Sequence, residues 1–591
     1  MNKRTIVAAA VGDCVHVAGA LSFLRLAEAQ GFRTIFMGPA VPVDALCDKA
    51  LEVGADFVAV GYRLGPEPGR RILLHLRKRW ETEPALTRLR WLFGGPPPVA
   101  AVAREMGMFE AVFSGEEDLD EIIAYLRTAA DPEAVPPPPG GGLHSSVDLA
   151  GLDLRHRMAR KSPYPLIRHH FGLPTVAETV DGIRQIAEAG VVDVISIGPD
   201  QNAQESFFRP DEQDPEQDGA GGVPIRSEDD LRALAAAART GNHPLLRCYS
   251  GTRDLLRMAR VLADTIDNAW AAIPLFWYSA LDGRSDRPLR EAIAENQAAI
   301  RWNAENGRPV EVNDPHQWSL RDAPDVVAVA AAYLGAYNAK ALGVKEYVAQ
   351  FMLNTPPRTT ARMDLAKMLA KADLIESLAG PEFTVYREVR AGLASFPADL
   401  DLAKGQLAQA TALGMALKPH IVHVVGYSEA SHAAGPEVVI ESCKIARGVI
   451  RSTLDGLPDA SADPIVRGRR SQLKAQAIML LQAIKKLAPA GVPDPLADPT
   501  TLARAVALGY LDAPHLKGNA SARGRVVTRM VYGACVAVDP WTGEPLAEEA
   551  RLARLRPVGR GKGARGQAPS WSPVAIQFSR QARFGSSGTD S

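Results

Sequence analysis

The segment Gly12-Asp13-Cys14-Val15-His16-Val17-Ala18-Gly19 places a histidine three residues ahead of a glycine. It directly follows an apolar run at residues 5–11 and leads into a helix-like stretch at 20–30. Open α/β sheets present their ligands at the carboxyl ends of strands. A His-x-x-Gly at such an end lets one imidazole project while the chain turns close beneath it, the geometry that a large planar cofactor with an axial metal position uses. A lone histidine near a sheet is more often a hydrogen-bonded structural residue, so the neighbouring loops must decide. Two of them carry glycines at matching places: Gly61-Tyr62-Arg63-Leu64 and Gly94-Gly95-Pro96-Pro97-Pro98.

The elements that must position these loops alternate cleanly. Strand-like runs fall at residues 5–11, 33–37, 56–61, 90–93 and 111–113, with helical stretches at 17–30, 43–53, 69–80, 98–106 and 118–128. Five strands, each followed by a helix, predict an α/β, doubly wound parallel sheet of flavodoxin type (Rossmann-like) over residues 1–130. The three glycine-bearing loops then follow the first, third and fourth strands. Residues 131–153, with prolines 136–139 and glycines 140–142, read as a linker. Residues 154–550 repeat strand, polar loop and helix: runs at 192–197, 244–247, 272–276, 310–312, 347–352 and 421–425 each end in a polar cluster. That repetition predicts a (β/α)₈ barrel of TIM type with function on its C-terminal loops, followed by a C-terminal extension. From Arg551 to Ser591, eight Arg/Lys face one acid among many Gly and Ser, which predicts a disordered basic tail.

Within the longer region, three arginines stand in or beside polar loops: Arg168 before His169-His170, Arg209 after residues 201–208, and Arg247 opening Arg247-Cys248-Tyr249-Ser250-Gly251-Thr252. His316 and the pair His169-His170 are further polar candidates on the barrel loops. Each also has a plain structural reading, as an ion-paired or hydrogen-bonded residue.

The N-terminal loops resemble the cobalamin-binding domain shared by glutamate mutase, methylmalonyl-CoA mutase and methionine synthase. That family's pattern is Asp-x-His-x-x-Gly, then Ser-x-Leu, then Gly-Gly. By this resemblance His16 replaces the cofactor's own base on cobalt. Gly19, Gly61, Tyr62, Leu64, Gly94 and Gly95 border the slot for the displaced tail, and Asp13 or Cys14 stands at the partner position of the histidine. The chain departs from the pattern in two places: Cys14 occupies the Asp position, with Asp13 one residue earlier, and Tyr62 or Gly61 replaces the Ser. Residues 160–550 distantly resemble the barrel subunit of glutamate mutase. The anchors are Gly509-Tyr510-Leu511-Asp512-Ala513-Pro514, Asn519, Gly524-Arg525 and Gly533-Ala534-Cys535, a segment that covers the barrel mouth in that family. The resemblance implies that Arg168, Arg209 and Arg247 hold a substrate carboxylate and that Glu429 binds the ribose of an adenosyl group. The family's Glu for the substrate amino group has no counterpart in residues 268–278, although Tyr278 can serve there, so glutamate itself is not the expected substrate.

These readings imply an adenosylcobalamin-dependent mutase performing a radical 1,2-rearrangement on a small carboxylate. A corrinoid methyltransferase using methylcobalamin, and a non-catalytic cobalamin carrier or sensor, remain open alternatives. The bulk numbers agree with a soluble enzyme. The 591 residues are 46% apolar and 23% charged with net charge −1, so no field attracts nucleic acid or membrane. No apolar run is long enough to span a bilayer. The five cysteines are scattered without a Cys-x-x-Cys pair, which argues against disulfides, zinc ribbons and iron–sulfur clusters and predicts a cytoplasmic protein. The expected partner is a small-molecule substrate, and a homodimer is left open.

Overall fold

Strands buried along both faces organise the N-terminal region. The computed structural model describes residues 3–130 and 150–555. β1 (Thr5–Ala10), β2 (Arg33–Phe36), β3 (Phe57–Gly61), β4 (Arg90–Gly94) and β5 (Ala111–Phe113) form one sheet in the order β2-β1-β3-β4-β5. Every pairing is parallel. This is the flavodoxin order, with its switch point between β1 and β3. β1 is buried at every position, as a strand covered on both faces must be. Alternate side chains separate to the two faces. Ile6, Phe57 and Leu92 pack with Leu24 of α1 (Ala18–Ala29) and Leu126 of α5 (Leu119–Ala130). Val7, Val58 and Trp91 pack with Leu46, Leu73 and Val99, which lie respectively on α2 (Val43–Glu52), α3 (Pro66–Thr82) and α4 (Pro97–Met106). α3 starts three residues earlier than its periodicity suggests, because Pro66 suits a first helical position where no N–H partner is needed.

The second sheet is a nearly closed barrel. Its strands are β6 (Leu166–Phe171), β7 (Val194–Ile197), β8 (Leu245–Cys248), β9 (Ala271–Ile273), β10 (Val310–Val312), β11 (Glu346–Leu353), β12 (Thr384–Ala391) and β13 (Ile421–Val424). They run parallel in the order β8-β7-β6-β13-β12-β11-β10-β9. A bridge between Tyr249 and Ala272 and a bond from the Ala269 N–H to the Leu246 carbonyl join β8 to β9. Outward residues of the strands join one large core with the surrounding helices, and Leu166, Val194, Trp270, Val348, Tyr386 and Ile421 fill the lower interior. Helix Asp325–Ala341 is buried nearly all round, because helix Pro464–Lys485 covers it and helix Ala361–Glu376 from outside.

Two strands, β6 and β12, were not among the strand-like runs of the sequence. Their inward positions carry Arg168 and His170, and Tyr386, Glu388 and Arg390, so neither reads as an apolar run. The C-terminal extension contains a hairpin, β14 (Thr528–Val531) and β15 (Ala534–Ala537), turned by Tyr532 and Gly533 with φ of 50° and 82°. Folded structure continues past residue 550, correcting the tail boundary. Arg551 is buried, pairs with Glu548 at 2.7 Å, and donates to the carbonyls of Gly509 and Tyr510. Most of the expected linker (131–149) and the rest of the tail (556–591) lie outside the described residues. All five cysteines are free and buried. Among the described residues, no helix is long and apolar enough to cross a membrane.

Candidate functional site

The His16 loop leaves β1 through Gly12, whose φ of 66° permits the sharp turn. His16 is exposed, and so are Val15 and Gly19 beside it. Cys14 is fully buried underneath; its Sγ lies 4.0 Å from His16 Nδ1 and accepts the Arg63 N–H at 3.3 Å. Asp13 does not reach the imidazole in the role foreseen for it. Its carboxylate instead accepts the Tyr62 hydroxyl at 3.0 Å. Tyr62 is buried in the sheet core at 1% exposure, and burial together with that bond raises its hydroxyl to about 12. It is therefore a structural tie between the loops after β1 and β3 and offers no hydroxyl to a tail slot. Leu64 is half-buried beyond it.

The glycines differ in what they permit. A Cβ on Gly94 or Gly19 would meet open space, so these positions border a free surface. A Cβ on Gly61 would sit at 3.5 Å from the Ala9 carbonyl, an ordinary contact. A Cβ on Gly95 would fall onto the Tyr62 carbonyl oxygen and the Phe93 ring. Gly95→Ala is expected to cost about 1–3 kcal/mol, since a backbone oxygen and a buried ring must both shift. A thermal melt unchanged from wild type would contradict that close approach.

The residues present fit the cobalamin expected from the sequence at the level of this loop. His16 is presented at the switch point with Nδ1 turned to the Cys14 sulfur, leaving Nε2 for a metal. Gly19 and Gly94 leave room beside it. The atom beside Nδ1 is a thiol sulfur, where the sequence pattern expects a carboxylate.

In the barrel, Arg168 and Arg247, the expected substrate clamp, both form ion pairs. Both are fully buried in its interior. Arg168 Nη1 pairs with Glu388 Oε1, and its Nε donates to Ser196 Oγ at 2.6 Å. Arg247 pairs with Glu311 at 2.8 Å. Trp270 Nε1 also donates to Glu311 at 2.8 Å, and Gln350 Nε2 donates to Glu311 and Glu388 at 3.1 and 2.9 Å. Burial alone raises a carboxyl; at Glu311 the two guanidiniums outweigh it and hold the group below its ordinary value. At Glu388 burial wins, with the Glu311 charge adding to it, and the group is raised. The four ionic side chains balance in charge, so both forks are already committed.

Above this layer lies a ring of aromatic and imidazole groups. Tyr249 stacks on His170 with centroids 5.4 Å apart, and His423 lies 4.7 Å from His170. His170 Nε2 lies 3.3 Å from Arg168 Nη2 and 3.0 Å from the Tyr249 hydroxyl. Arginine can only donate, so Nε2 accepts and the ring is the neutral Nδ1–H tautomer. Burial, then the Arg168 and Arg390 charges, hold His170 well below its ordinary value, which agrees. His170 thus sits on a strand inside the barrel rather than on a loop. His169 turns from it: Nδ1 bonds to the His170 carbonyl and Nε2 lies 3.6 Å from Glu429 Oε1.

The remaining expected residues scatter around the rim. Arg209 is half-buried and paired with Asp254 at 2.6 Å, with Glu212 at 3.6 Å, so it does not join Arg168 and Arg247. Tyr278 is buried in the loop after β9 at a φ of 60°, with the Arg284 guanidinium 4.7 Å over its ring. A bulky residue held left-handed is strained and requires the surrounding structure to fix it. Glu429 is partly exposed and caps its own loop by accepting the Gly426 N–H at 2.6 Å. His316 is buried on the short helix Asp314–Ser319 after β10.

The C-terminal segment contacts the loop that follows β9. Asn519 Nδ2 donates to the carbonyls of Ala280 and Leu281 at 3.1 and 3.0 Å. The Asp512 carboxylate accepts the N–H groups of Gly524, Arg525 and Val526 at 2.9–3.1 Å, which shapes the segment. Sequence reasoning missed Glu311, Gln350, Glu388 and Arg390. The only sequence signal for β12 was the alternation Tyr386-x-Glu388-x-Arg390, which looks like a surface strand.

No family model matches the chain, and no curated protein matches it. Solved structures do match. One is a cobalamin-binding protein from Desulfitobacterium hafniense, 26% identical, with a TM-score of 0.17, covering 19% of this chain and 52% of that one. Another is the cobalamin-dependent S-adenosylmethionine radical enzyme OxsB, 9% identical, with a TM-score of 0.16, covering 83% of this chain and 69% of that one. The chain thus spans about half the length of the first of these.

Proposed function

We propose that the chain is a cobalamin-dependent enzyme of the carbon-skeleton mutase type, acting on a small carboxylate other than glutamate. The observation that carries the reading is the exposed His16 at the switch point of a β2-β1-β3-β4-β5 sheet, beside open glycines. In this reading His16 would hold the cobalt, Gly19, Gly61, Leu64, Gly94 and Gly95 would border the cofactor, and Glu429 would bind its adenosyl group. When bound, the cofactor supplies a weak cobalt–carbon bond whose homolysis starts radical chemistry.

The chain's own residues then bind, orient and exclude water. The balanced Arg168, Arg247, Glu311 and Glu388 layer gives a rigid polar floor. His170 and Tyr249 present a neutral imidazole and a phenol above it. The Asn519 and Asp512 contacts hold the C-terminal segment over the loops, limiting solvent at the mouth.

Anaerobic reconstitution tests this. His16→Ala is expected to lose the histidine-on cobalamin spectrum while the protein stays folded, and an unchanged spectrum would sink the ligand assignment. Substrate-triggered cob(II)alamin signals from the adenosyl form support the mutase reading. Turnover with methylcobalamin alone would make the protein a methyltransferase, and binding without turnover of any carboxylate would make it a carrier.

A further inference from the structure

Arg390 occupies the inward register of β12, two residues beyond Glu388 toward the carboxyl end of the barrel. Its ladder partners are His423 on β13 and Met352 on β11. It is half-buried, and its Nε donates to the Ala391 carbonyl at 3.2 Å. Among the described residues no carboxylate pairs with it, whereas Arg168, Arg209 and Arg247 each have one. The groups around it are imidazoles. Burial, then the charges of Arg168 and Arg390, keep His423 neutral; burial, then Arg390 and Lys371, do the same to His316. Nδ1 of His316 is buried without a hydrogen-bond partner at 6% residue exposure, and Nδ1 of His423, also without one, lies 3.7 Å from Glu388 Oε1. Unpaired buried polar atoms beside an unpaired guanidinium call for a ligand.

We propose that Arg390, with His423 and His316 beside it, holds one carboxylate of the small-molecule substrate at the barrel mouth. The two free Nη groups match two carboxylate oxygens. Charge balance selects the anion. The arginines of the layer below are paired with Glu311 and Glu388, the imidazoles are neutral, and Arg390 is the guanidinium beside them without a carboxylate partner among the described residues. One carboxylate cancels its charge, whereas a phosphate dianion would leave a buried excess of negative charge. The inference deepens the reading above and rests on it for the identity of the reaction, but the binding itself needs no cofactor.

Calorimetry on the cofactor-free full chain, with propionate, succinate and inorganic phosphate as probes, tests it. At least one carboxylate should bind, and more tightly than phosphate. Arg390→Ala should weaken that binding about 10- to 100-fold, and Arg390→Lys, which keeps the charge but not the fork, should lie between. Arg209→Ala should leave it unchanged. Circular dichroism and a thermal melt establish that each variant is folded, and Arg390→Gln gives a second folded variant if alanine fails. Equal affinity in the folded Arg390 variants, tighter phosphate binding, or no carboxylate binding to wild type would each overturn the proposal. A normal cobalamin spectrum in Arg390→Ala separates this outcome from failure of the His16 assignment.

Discussion

Glu388→Ala is expected to destabilise the barrel by about 3–5 kcal/mol, the usual cost of breaking a buried pair from one side. Glu388 is fully buried, and its Oε1 meets Arg168 and Gln350. Removing it leaves a guanidinium in the interior with Glu311 at 3.7 Å as its nearest acid, already shared with Arg247. The alternative to a lost charge is lost packing, and a double variant separates the two. Arg168→Met with Glu388→Leu removes both charges and fills the space, so it should be far closer to wild type than Glu388→Ala alone. Urea denaturation measures both. A Glu388→Ala protein within about 1 kcal/mol of wild type would show that the ionic layer contributes little.

Lys371→Met is expected to stabilise the protein, and more strongly at pH 7 and below than at pH 10. Lys371 lies one turn after Lys367 on the helix Ala361–Glu376 and is 1% exposed. Lys367 has partners: the Thr355 carbonyl, with Asp325 and Asp364 each at 3.4 Å. Burial, then the Lys367 charge, lower Lys371 to about 7, while Asp364 and Asp325 pull the other way. The folded state thus prefers the neutral amine. Between pH 7 and about 10.4 the unfolded chain carries a proton that the folded chain lacks, so stability rises with pH across that window. Below pH 7 both states are protonated and the full penalty remains, about 3–5 kcal/mol from the size of the shift. Methionine fills similar space without charge. The gain should be largest at pH 7 and below and should fade toward pH 10. Urea midpoints at pH 7, 8.5 and 10 check this; a gap of the same size at every pH would contradict it.

The N-terminal sheet was legible because its central strands β1, β3 and β4 are largely buried and read as apolar runs, and the glycines mark where the chain must turn. The barrel was legible by repetition, but two of its strands were hidden by their own interior. An inward Arg168 or Glu388 looks like surface polarity until the strand is known to face other charges across a closed ring. A sequence shows a guanidinium's spacing but not its partner, so the ion-paired and the carboxylate-binding readings of Arg168 and Arg247 both stood until the fold paired them with Glu388 and Glu311. Arg390, which has no paired carboxylate among the described residues, carried no motif to mark it. Asp13 was foreseen near His16, yet its partner Tyr62 lies 49 positions along the chain, a pairing that only the fold reveals.

That pairing has a mechanical side. Tyr62 reaches Asp13, and the Arg63 N–H reaches Cys14 Sγ, so two bonds fasten the loop after β3 to the loop that carries His16. The imidazole stands on a crosspiece rather than a free arm. Any force that draws His16 outward is transmitted to β3, and through the Tyr62 carbonyl packed over Gly95 to the loop after β4. A ligand pulling on one ring would therefore be felt along the whole carboxyl rim of the sheet.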